Sequence, residues 1–393
     1  MRWSAQRMKS QVSKGFGMYE VAAQLQSAGA NVIHLEVGRP SADTPKHIKE
    51  AAKAALDAGK VHYSELQGIV SLREALAERY ARDHQLPCSE KNVLITNGVT
   101  QAAFATFMSV LDEGDEVITF EPFYPQHNSK VAFAGGKIVS VPMRKLEGQF
   151  RIDLDALELA VSPKTKMLIL VNPTNPTGTV YNRIELEALA KIVAQHDLLV
   201  LADEVYEFIL FDSAKHISFA SLPGMWERTI TVSAFTKAYA MDGWRLGYAV
   251  APEPMIKQLQ RVTMNDTTHP CVFAQDGGLA AVQGSQDCVK MMVEEDRLRR
   301  NLVVKRLNAM PGVFCSTPEA SIYAFPKFSG LDASSSELAL DILHKVHVAT
   351  ESGSFYGASG EGHLRLCFGS EPYARLAEAM DRIESYLQGA VGS

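Results

Sequence analysis

The sequence SAFTKAYAMDGWRLGY occupies Ser233–Tyr248 and follows a strand-like run at residues 228–232. Its charged residues, Lys237, Asp242 and Arg245, stand among small and apolar residues. Burial disfavours the charged form of a lysine and lowers its pKa, so more free amine is available to attack a carbonyl. A guanidinium matches a phosphate or a carboxylate through paired hydrogen bonds. An imine-forming lysine beside a phosphate-binding arginine indicates a pocket for pyridoxal phosphate, although an isolated pair would ordinarily be a surface lysine and a structural arginine.

The composition excludes several classes of protein. The 393 residues carry a formal net charge of −6, which disfavours nucleic-acid binding. Five scattered cysteines without a Cys-x-x-Cys pair favour a reduced cytoplasm over a disulfide framework or a zinc site. No apolar run approaches the ~20 residues of a membrane helix, and no apolar segment of a signal peptide follows Met1. We therefore expect a cytoplasmic protein with two or three cores that binds neither metal, membrane nor nucleic acid.

Several apolar runs are each followed by residues suited to ligand chemistry. A glycine turn that opens a helix at Gly98–Thr100 follows one run, and exposed amides at a helix start bind anions. Tyr124 follows the next run, Asn172–Gly178 (NPTNPTG) follows a third, and Asp203 with Tyr206 follows a fourth. The apolar strands alternate with helical patterns, which predicts a mostly parallel sheet covered by helices on both faces. Open sheets of this type bind ligands at the carboxyl edge of the strands.

The run at residues 233–248 resembles the cofactor-lysine signature of class I/II aminotransferases, the pyridoxal-phosphate enzymes of the aspartate aminotransferase fold. The resemblance extends from about residue 12 to about residue 388. Further motifs match in the family's order: Tyr63 with Gly68, Gly98 with Thr100, Asn172–Gly178, Asp203 with Tyr206, and Arg365. The resemblance implies an α/β protein of the pyridoxal-phosphate-dependent transferase fold type I. It also implies a homodimer whose active sites are shared across the interface.

The domain organisation follows from the same resemblance. It implies an N-terminal arm and part of the small domain at residues 1–46, and a large cofactor-binding domain with a mostly parallel central sheet at 47–285. A smaller α+β domain, to which both chain ends contribute, is completed by residues 286–393. A long helical pattern at about 273–307 predicts a single helix that bridges the two domains.

The resemblance assigns the residues that surround the cofactor ring. Lys237 is the Schiff-base lysine and proton shuttle. Asp203 keeps the ring nitrogen protonated, because a carboxylate favours a nearby positive charge. Asn175 and Tyr206 bond the phenolic oxygen, and Tyr124 stacks on the ring. Lys237, Asp203 and Tyr206 are therefore the predicted catalytic residues.

The predicted phosphate ligands are more dispersed in the sequence. They are Gly98, Val99, Thr100, Ser233, Arg245 and, from the neighbouring chain, Tyr63. Many relatives have a phosphate-binding serine three residues before the lysine, where this chain has Ala234, so one phosphate hydrogen bond is either absent or supplied by another group. Thr268, in a polar loop, is an additional candidate. The predicted substrate contacts are Gly38, Asn175 and Arg365, with Arg365 on the α-carboxylate.

These assignments predict an aminotransferase with ping-pong kinetics, in which an L-amino acid gives its amino group to the cofactor and a 2-oxo acid then accepts it. A C–S β-lyase, or a decarboxylating or cyclising enzyme of the same fold, would use the same cofactor residues. A ligand-sensing domain of a transcription regulator is disfavoured by the absence of a DNA-binding extension. A nicotinamide dehydrogenase is disfavoured because no Gly-x-Gly-x-x-Gly follows a strand.

The donor side chain is the remaining choice. A dicarboxylate specialist needs a further cation, because an unpaired buried carboxylate is costly. Beyond Arg245 and Arg365, only Arg39 and Arg261 lie near the motifs. The entrance segments favour apolar or aromatic contact, and residues 320–326 depart from the family's usual Gly-Ala-Phe-Tyr. We expect a broad or neutral-to-aromatic donor with 2-oxoglutarate or pyruvate as acceptor, and aspartate as the main alternative. The entrance residues are Phe16, Met18, Tyr124 and Tyr323.

Overall fold

The structure is a computed structural model that describes Trp3, Ala5, Met8 and residues 17–391. Phe16, one of the predicted entrance residues, lies outside the described residues. The helices are α1 Tyr19–Ser27, α2 Lys46–Asp57, α3 Val70–His84, α4 Gly98–Val110, α5 Pro125–Phe133, α6 Leu154–Ala160, α7 Arg183–Gln195, α8 Glu253–Asp266, α9 Val272–Gln283, α10 Asp287–Ala309, α11 Ser335–Val346 and α12 Tyr373–Val391.

Strands alternate with these helices through the first two thirds of the chain. They are β1 Ile33–His34, β2 Val93–Thr96, β3 Glu116–Glu121, β4 Lys137–Pro142, β5 Arg144–Leu146, β6 Gln149–Arg151, β7 Thr165–Val171, β8 Leu199–Asp203, β9 Thr229–Ala234, β10 Gly247–Val250, β11 Val313–Phe314, β12 Tyr323–Ala324, β13 Lys327–Phe328, β14 Val348–Ala349, β15 Glu351–Ser352 and β16 Leu364–Cys367.

The central sheet has the strand order β2-β10-β9-β8-β7-β3-β4. The pairs β3/β4, β3/β7, β7/β8 and β8/β9 are parallel, and only β10 runs antiparallel to its two neighbours. The predicted mostly parallel sheet and α/β fold are confirmed. Because β2, β3, β7, β8 and β9 point the same way, their carboxyl ends share one edge, where such sheets place ligands.

Local sequence explains where the helices begin. Asn182 and Glu185 form a capping box that starts α7, since each side chain bonds the other's backbone amide. Its buried residues recur at helical spacing, as the sequence predicts. The predicted single helix at 273–307 is wrong, because α9 ends at Gln283 and α10 begins at Asp287. The break lies at Gly284, where an added Cβ would meet the Ala280 carbonyl oxygen at 2.6 Å.

A separate hydrophobic core draws on both ends of the chain. It combines buried side chains from Met18 to Leu35 with others from Val303 to Leu387. The short strand β1 pairs in parallel with β14, which ties the N-terminal segment to the C-terminal part. Among the described residues no helix is long and apolar enough to cross a membrane. That part of the chain also holds no group of three or more His, Cys, Asp or Glu that could bind a metal.

Candidate active site

The carboxyl edge of the central sheet gathers most of the predicted site residues. Gly98 begins α4 after β2, and Tyr124 directly precedes α5 after β3. Asn175 follows β7, Asp203 ends β8, and Lys237 lies three residues beyond β9. Residues that are separated by up to 139 positions therefore meet because their strands are parallel neighbours.

Lys237 lies in a turn directly after β9, and its side chain is half-buried. Its Nζ donates a hydrogen bond to the carbonyl oxygen of Gly38. Burial lowers the pKa of the amine to about 8; Cys367 and Asp242 oppose this shift, and the two guanidinium groups of Arg365 and Arg245 favour it. The direction is the one expected from the sequence. A larger fraction of this amine is uncharged near neutral pH than for an exposed lysine.

An anion cradle forms where α4 begins. Gly98 has a left-handed backbone with φ of 78°, and a Cβ there would lie 2.8 Å from Arg245 Nη2. A Cβ on Gly247 would lie 2.7 Å from the Gly98 Cα, so the two backbones require glycine at both positions. The exposed guanidinium of Arg245 thus lies beside the first amides of α4, those of Val99 and Thr100. A helix start and a guanidinium together favour a bound phosphate.

Asp203 is buried at the end of β8 and has a partner that the sequence analysis did not identify. His127 Nε2 lies 2.9 Å from Asp203 Oδ2, and its ring packs edge-on against Tyr124 at 5.1 Å between centroids. Burial lowers the pKa of His127 and outweighs the hydrogen bond to Asp203. A neutral imidazole leaves the Asp203 charge available to a further cation. The available signal was the spacing, because residue 127 lies one helical turn after Tyr124.

Arg365 lies on β16 and is buried without an ion pair in the described part of the chain. Its Nη1 donates to Asn175 Oδ1 at 3.3 Å, its Nη2 donates to the carbonyl oxygen of Glu36, and its Nε has no partner. Two tyrosine rings flank the guanidinium carbon, Tyr323 at 4.4 Å and Tyr356 at 5.1 Å. A buried guanidinium whose charge lacks a carboxylate suits an incoming carboxylate.

Tyr323 lies in contact with two further site residues, Tyr206 and Gly38. The hydroxyl oxygens of Tyr206 and Tyr323 lie 2.8 Å apart, and both side chains are buried. A Cβ on residue 38 would lie 1.9 Å from the Tyr323 hydroxyl. The Gly38 loop therefore needs glycine to pass over Tyr323 and to present its carbonyl to Lys237.

Other predicted residues lie apart from this group. The Ser233 hydroxyl donates to Glu207 Oε1 at 3.4 Å inside a buried cluster with Arg79 and Tyr248. Tyr63 is 89% exposed and meets the ring of His269 edge-on at 5.5 Å. Thr268 is exposed and has a left-handed backbone with φ of 67°.

The remaining predicted positions concern the entrance. Ala234 is buried in β9 and has no polar side-chain atom to replace the usual serine. Met18 is buried in the core built from both chain ends. Arg261 is exposed and donates to Gln258 on its own helix, while Arg39 is exposed and acts electrostatically on His34.

The geometry fits pyridoxal phosphate. The cradle of Gly98 and Arg245 suits the phosphate, Asp203 suits a protonated ring nitrogen, and Tyr206 supplies a hydroxyl. Lys237, whose pKa is lowered, lies within the electrostatic reach of both unpaired guanidinium groups, Arg245 and Arg365. A phosphorylated aldehyde on one side and an amino acid's carboxylate on the other would neutralise these two charges.

Comparisons with known proteins agree with this geometry. The model of the family "Aminotransferase class I and II" matches residues 30–383. The chain is 41% identical to aromatic-amino-acid aminotransferase 2 of Thermococcus litoralis, over 91% of this chain and 92% of that protein. It is 39% identical to an aspartate aminotransferase of Pyrococcus abyssi, over 94% of each.

Solved structures give the same result. The structure of aspartate aminotransferase from Thermus thermophilus with maleate superposes with a TM-score of 0.92 at 34% identity, and the match covers 98% of this chain and all (100%) of that chain. An aromatic aminotransferase from Pyrococcus horikoshii gives 0.89 at 38% identity, over 94% of this chain and 99% of that chain. The chain therefore belongs to the class I and II aminotransferases, and it is an aminotransferase that uses pyridoxal 5′-phosphate.

Proposed function

We propose that Lys237 holds the cofactor and moves the reacting proton, and that Arg365 docks the α-carboxylate of the amino acid. The observation that carries this proposal is a half-buried amine whose pKa is lowered by burial and by two guanidinium groups, those of Arg365 and Arg245, which have no carboxylate partners in the described residues. When bound, pyridoxal phosphate accepts electrons from the bond between Cα and its hydrogen.

The chain's own residues then divide the work. Asp203 holds a proton on the ring nitrogen, and His127 orients that carboxylate through its 2.9 Å hydrogen bond. Asn175 and Tyr206 bond the phenolic oxygen, and Tyr124 covers the ring. Gly98, Val99, Thr100 and Arg245 bind the phosphate. We assign Ser233 to the Glu207 cluster, because its hydroxyl bonds that carboxylate.

Lys237 is suited to general base catalysis once a substrate amine has displaced it. Its pKa of about 8 lies near neutral pH, where a base of this strength can both take and return a proton. The Gly38 carbonyl holds Nζ in place without supplying a charge that would restore the ammonium form. The Lys237 side chain alone can then take the proton from the substrate Cα and return it to the cofactor carbon.

Borohydride labelling tests this assignment. The purified protein should absorb visible light through the lysine-bound cofactor, and reduction should attach the cofactor's mass to the peptide that contains Lys237. A label on a different lysine would contradict the assignment. Product analysis separates transfer from elimination, since ammonia and pyruvate indicate a β-lyase and a new amino acid indicates an aminotransferase.

We further propose a broad or neutral-to-aromatic donor, with 2-oxoglutarate or pyruvate as acceptor. The support is the aromatic wall beside Arg365, formed by Tyr323 and Tyr356. Arg261 and Arg39, the candidate cations for a second carboxylate, are exposed and contact or act on other groups. Relatives named for aromatic amino acids and for aspartate both match over most of the chain, so aspartate is the alternative donor.

A donor panel decides between these substrates. Phenylalanine, alanine, methionine and aspartate would each be mixed with the loaded protein, and the rate of loss of the visible band would be measured in a single turnover. We expect the rate with phenylalanine to equal or exceed the rate with aspartate. An aspartate rate about a hundredfold higher, close to 3 kcal/mol of preference, would contradict the proposal and indicate a cation that recognises the second carboxylate.

We propose a homodimer in which Tyr63 serves the neighbouring chain's cofactor phosphate. The support is the 89% exposure of this large side chain in a single chain. A hybrid of one Tyr63→Phe chain and one Lys237→Ala chain should contain one intact site, since one chain keeps the lysine and its partner keeps the tyrosine. Full activity of monomers at high dilution would contradict the shared site.

The domain ranges 1–46, 47–285 and 286–393 and the cytoplasmic location are also proposals. The core that joins residues 18–35 to residues 303–387 supports the small domain. All five cysteines are free, which suits a reducing compartment. Limited proteolysis and cell fractionation would test them.

A further inference from the structure

Tyr323 connects three parts of the site that the sequence analysis treated separately. Its hydroxyl lies 2.8 Å from that of Tyr206, and its ring lies 4.4 Å under the Arg365 guanidinium carbon. The Gly38 loop passes so close that a Cβ on residue 38 would overlap the Tyr323 hydroxyl. With 2% of its surface exposed, Tyr323 has no solvent to take over these contacts.

The backbone fixes Tyr323 in this position. It opens β12 and pairs directly with Cys367 on β16, two residues beyond Arg365. Ser321 adopts a left-handed backbone with φ of 65° just before the strand. The Ser321 amide donates to the Ile209 carbonyl, three residues after Tyr206. The segments that carry the two tyrosines are therefore held together by a main-chain hydrogen bond as well as by the hydroxyl contact.

Geometry alone allows either hydroxyl to donate, and the surroundings favour Tyr323 as the donor. Burial raises the pKa of both side chains, that of Tyr323 to about 12. The Arg365 guanidinium lies directly over the Tyr323 ring, at 4.4 Å, and acts to lower the pKa of Tyr323. The stronger acid of a hydroxyl pair is the better donor, so Tyr206 accepts and its own proton stays free for another acceptor.

We propose that Tyr323 is a positioning residue that donates to Tyr206 and so strengthens the hydrogen bond that Tyr206 makes to the phenolic oxygen of the cofactor. This inference rests on the proposed role of Tyr206. A hydroxyl that accepts a hydrogen bond is a stronger donor, by an amount on the order of 10–30% per bond. Tyr323 thereby couples the loop at Gly38 and the carboxylate site at Arg365 to the cofactor.

The consequence has a definite sign. A stronger hydrogen bond from Tyr206 stabilises the negative charge of the phenolic oxygen. That oxygen then holds the proton on the cofactor-linked Lys237 nitrogen less strongly. Removing the Tyr323 hydroxyl should therefore raise the pKa at which that proton is lost. The visible band of the bound cofactor reports this titration without any turnover.

The test is a pH titration of the visible band in the holoenzyme. Tyr323→Phe should raise the apparent pKa by about 0.3–1 unit. Tyr206→Phe should raise it more, and Tyr323→Phe should add nothing in the Tyr206→Phe background, since its effect passes through Tyr206. An unchanged pKa in the single variant, or the same shift in both backgrounds, would overturn the inference.

Tyr356→Phe is the matched control. Tyr356 also flanks Arg365, at 5.1 Å, but its buried hydroxyl has no partner in the described residues. Its removal should leave the spectroscopic pKa unchanged, and a shift equal to that of Tyr323→Phe would show a general effect of the aromatic wall and overturn the inference. Urea unfolding of the cofactor-free protein should still be cooperative for Tyr323→Phe, with a free energy of unfolding lower by no more than about 1–3 kcal/mol, because the buried Tyr206 hydroxyl loses one partner. If the wild-type protein showed no visible band, the proposed function itself would fail, and the inference with it.

Discussion

The protein contains two buried charged clusters beside the central sheet. The neighbouring residues Tyr206 and Glu207 belong to different clusters. Tyr206 contributes to the Arg365 cluster, which we define as Arg365, Asn175, Tyr206, Tyr323 and Tyr356. Glu207 contributes to the Arg79 cluster, defined as Arg79, His84, Glu207, Ser233 and Tyr248. In the Arg79 cluster Glu207 lies 3.0 Å from Arg79 and 3.3 Å from His84. In the Arg365 cluster the guanidinium forms no ion pair within the described residues.

This difference separates a structural use of buried charge from a ligand-binding use. Burial alone would raise the pKa of Glu207, but Arg79 and the histidines His84 and His216 lower it to about 2. Its charge is therefore compensated inside the protein. We propose that the charge of Arg365 is left for a ligand, because a buried cation is costly until a counter-ion binds it. Substitutions in the two clusters should accordingly act on different quantities.

Loss of Lys237 is expected to have the largest effect. The roles proposed for Lys237 are the covalent link to the cofactor and the base; Lys237→Ala removes both, so kcat should fall by at least about 10⁴-fold. The free energy of unfolding should not fall, since a half-buried amine is removed with no ion pair broken. Lys130→Met is the matched control. Burial also lowers the pKa of Lys130 to about 8, yet its Nζ bonds only the Gln126 carbonyl. A similar loss of kcat in both variants would contradict a special role for Lys237.

Breaking the Arg79 cluster should affect stability. Glu207→Gln leaves Arg79 buried without a counter-charge, and we expect a loss of about 3–5 kcal/mol in the free energy of unfolding at pH 7. The wild-type stabilisation is present above the unfolded pKa of 4.5 and is lost as the pH falls towards 2, because the folded pKa is lowered. The loss should therefore shrink when urea unfolding is repeated at lower pH.

The double variant Arg79→Met/Glu207→Leu is the control for this prediction. It removes both charges and should recover most of the stability, since an apolar pair of similar volume needs no compensation. If Glu207→Gln lowered the free energy of unfolding by less than about 1 kcal/mol, the Arg79–Glu207 pair would contribute little to stability. The contrast between the Arg79 cluster and the Arg365 cluster would then fail.

The sequence predicted the Arg365 cluster better than the Arg79 cluster, for a physical reason. Asn175 and Tyr206 belong to motifs that follow neighbouring strands of the central sheet, and Arg365, on β16 of a separate sheet, stands out as a charged residue between apolar neighbours. Arg79 lies within α3 and looks like an ordinary surface arginine in the sequence, because its partners Glu207 and Tyr248 are brought to it only by the fold. Ser233 was a candidate phosphate ligand because it directly precedes Ala234, which occupies the position of the usual serine. Neighbouring side chains of a strand point to opposite faces, and the Ser233 hydroxyl bonds Glu207.

The sequence also missed contacts that depend on tertiary packing. His127 and Asp203 are 76 positions apart, and only the pairing of β3, β7 and β8 brings them to 2.9 Å. The hydroxyl contact between Tyr206 and Tyr323 spans 117 positions. The predicted helix at 273–307 failed because the backbone turns extended at Gly284, where the Gln286 side chain donates to the free Ala281 carbonyl at the helix end.

The matched arginines give the next prediction. Arg365→Lys keeps the charge and loses the paired geometry, so kcat/KM should fall about a hundredfold, close to 3 kcal/mol, while the free energy of unfolding stays within about 0.5 kcal/mol. Arg79→Lys should do the reverse, with a loss of stability and a nearly unchanged KM. The measurements are steady-state kinetics and urea unfolding on both variants. If Arg365→Lys lost stability as Arg79→Lys does, Arg365 would be a structural cation as well.

The smallest expected effect concerns Glu351, the carboxyl that faces Arg365 across the strand pair β15/β16. Its oxygens accept from the backbone amides of Met18 at 3.3 Å and Ser352 at 3.2 Å. Burial raises the pKa of Glu351 to about 7 and outweighs the attraction of Arg365 and these hydrogen bonds. At neutral pH the Arg365 cation thus has a carboxyl opposite it that is only partly ionised.

The sign of the pH dependence follows from this raised pKa. Between the unfolded pKa of 4.5 and the folded value of about 7 the folded protein holds an extra proton, so its stability falls as the pH rises. Glu351→Gln cannot ionise, and it keeps one acceptor oxygen, so one of the two amides, which bond different oxygens, loses its partner at every pH. In urea unfolding its stability relative to wild type should therefore rise on the order of 1–2 kcal/mol between pH 5 and pH 8. The exposed control Glu65→Gln should show no such pH-dependent difference. If Glu351→Gln and wild type had the same slope, Glu351 would be ionised throughout, and Arg365 would have an internal counter-charge like that of Arg79.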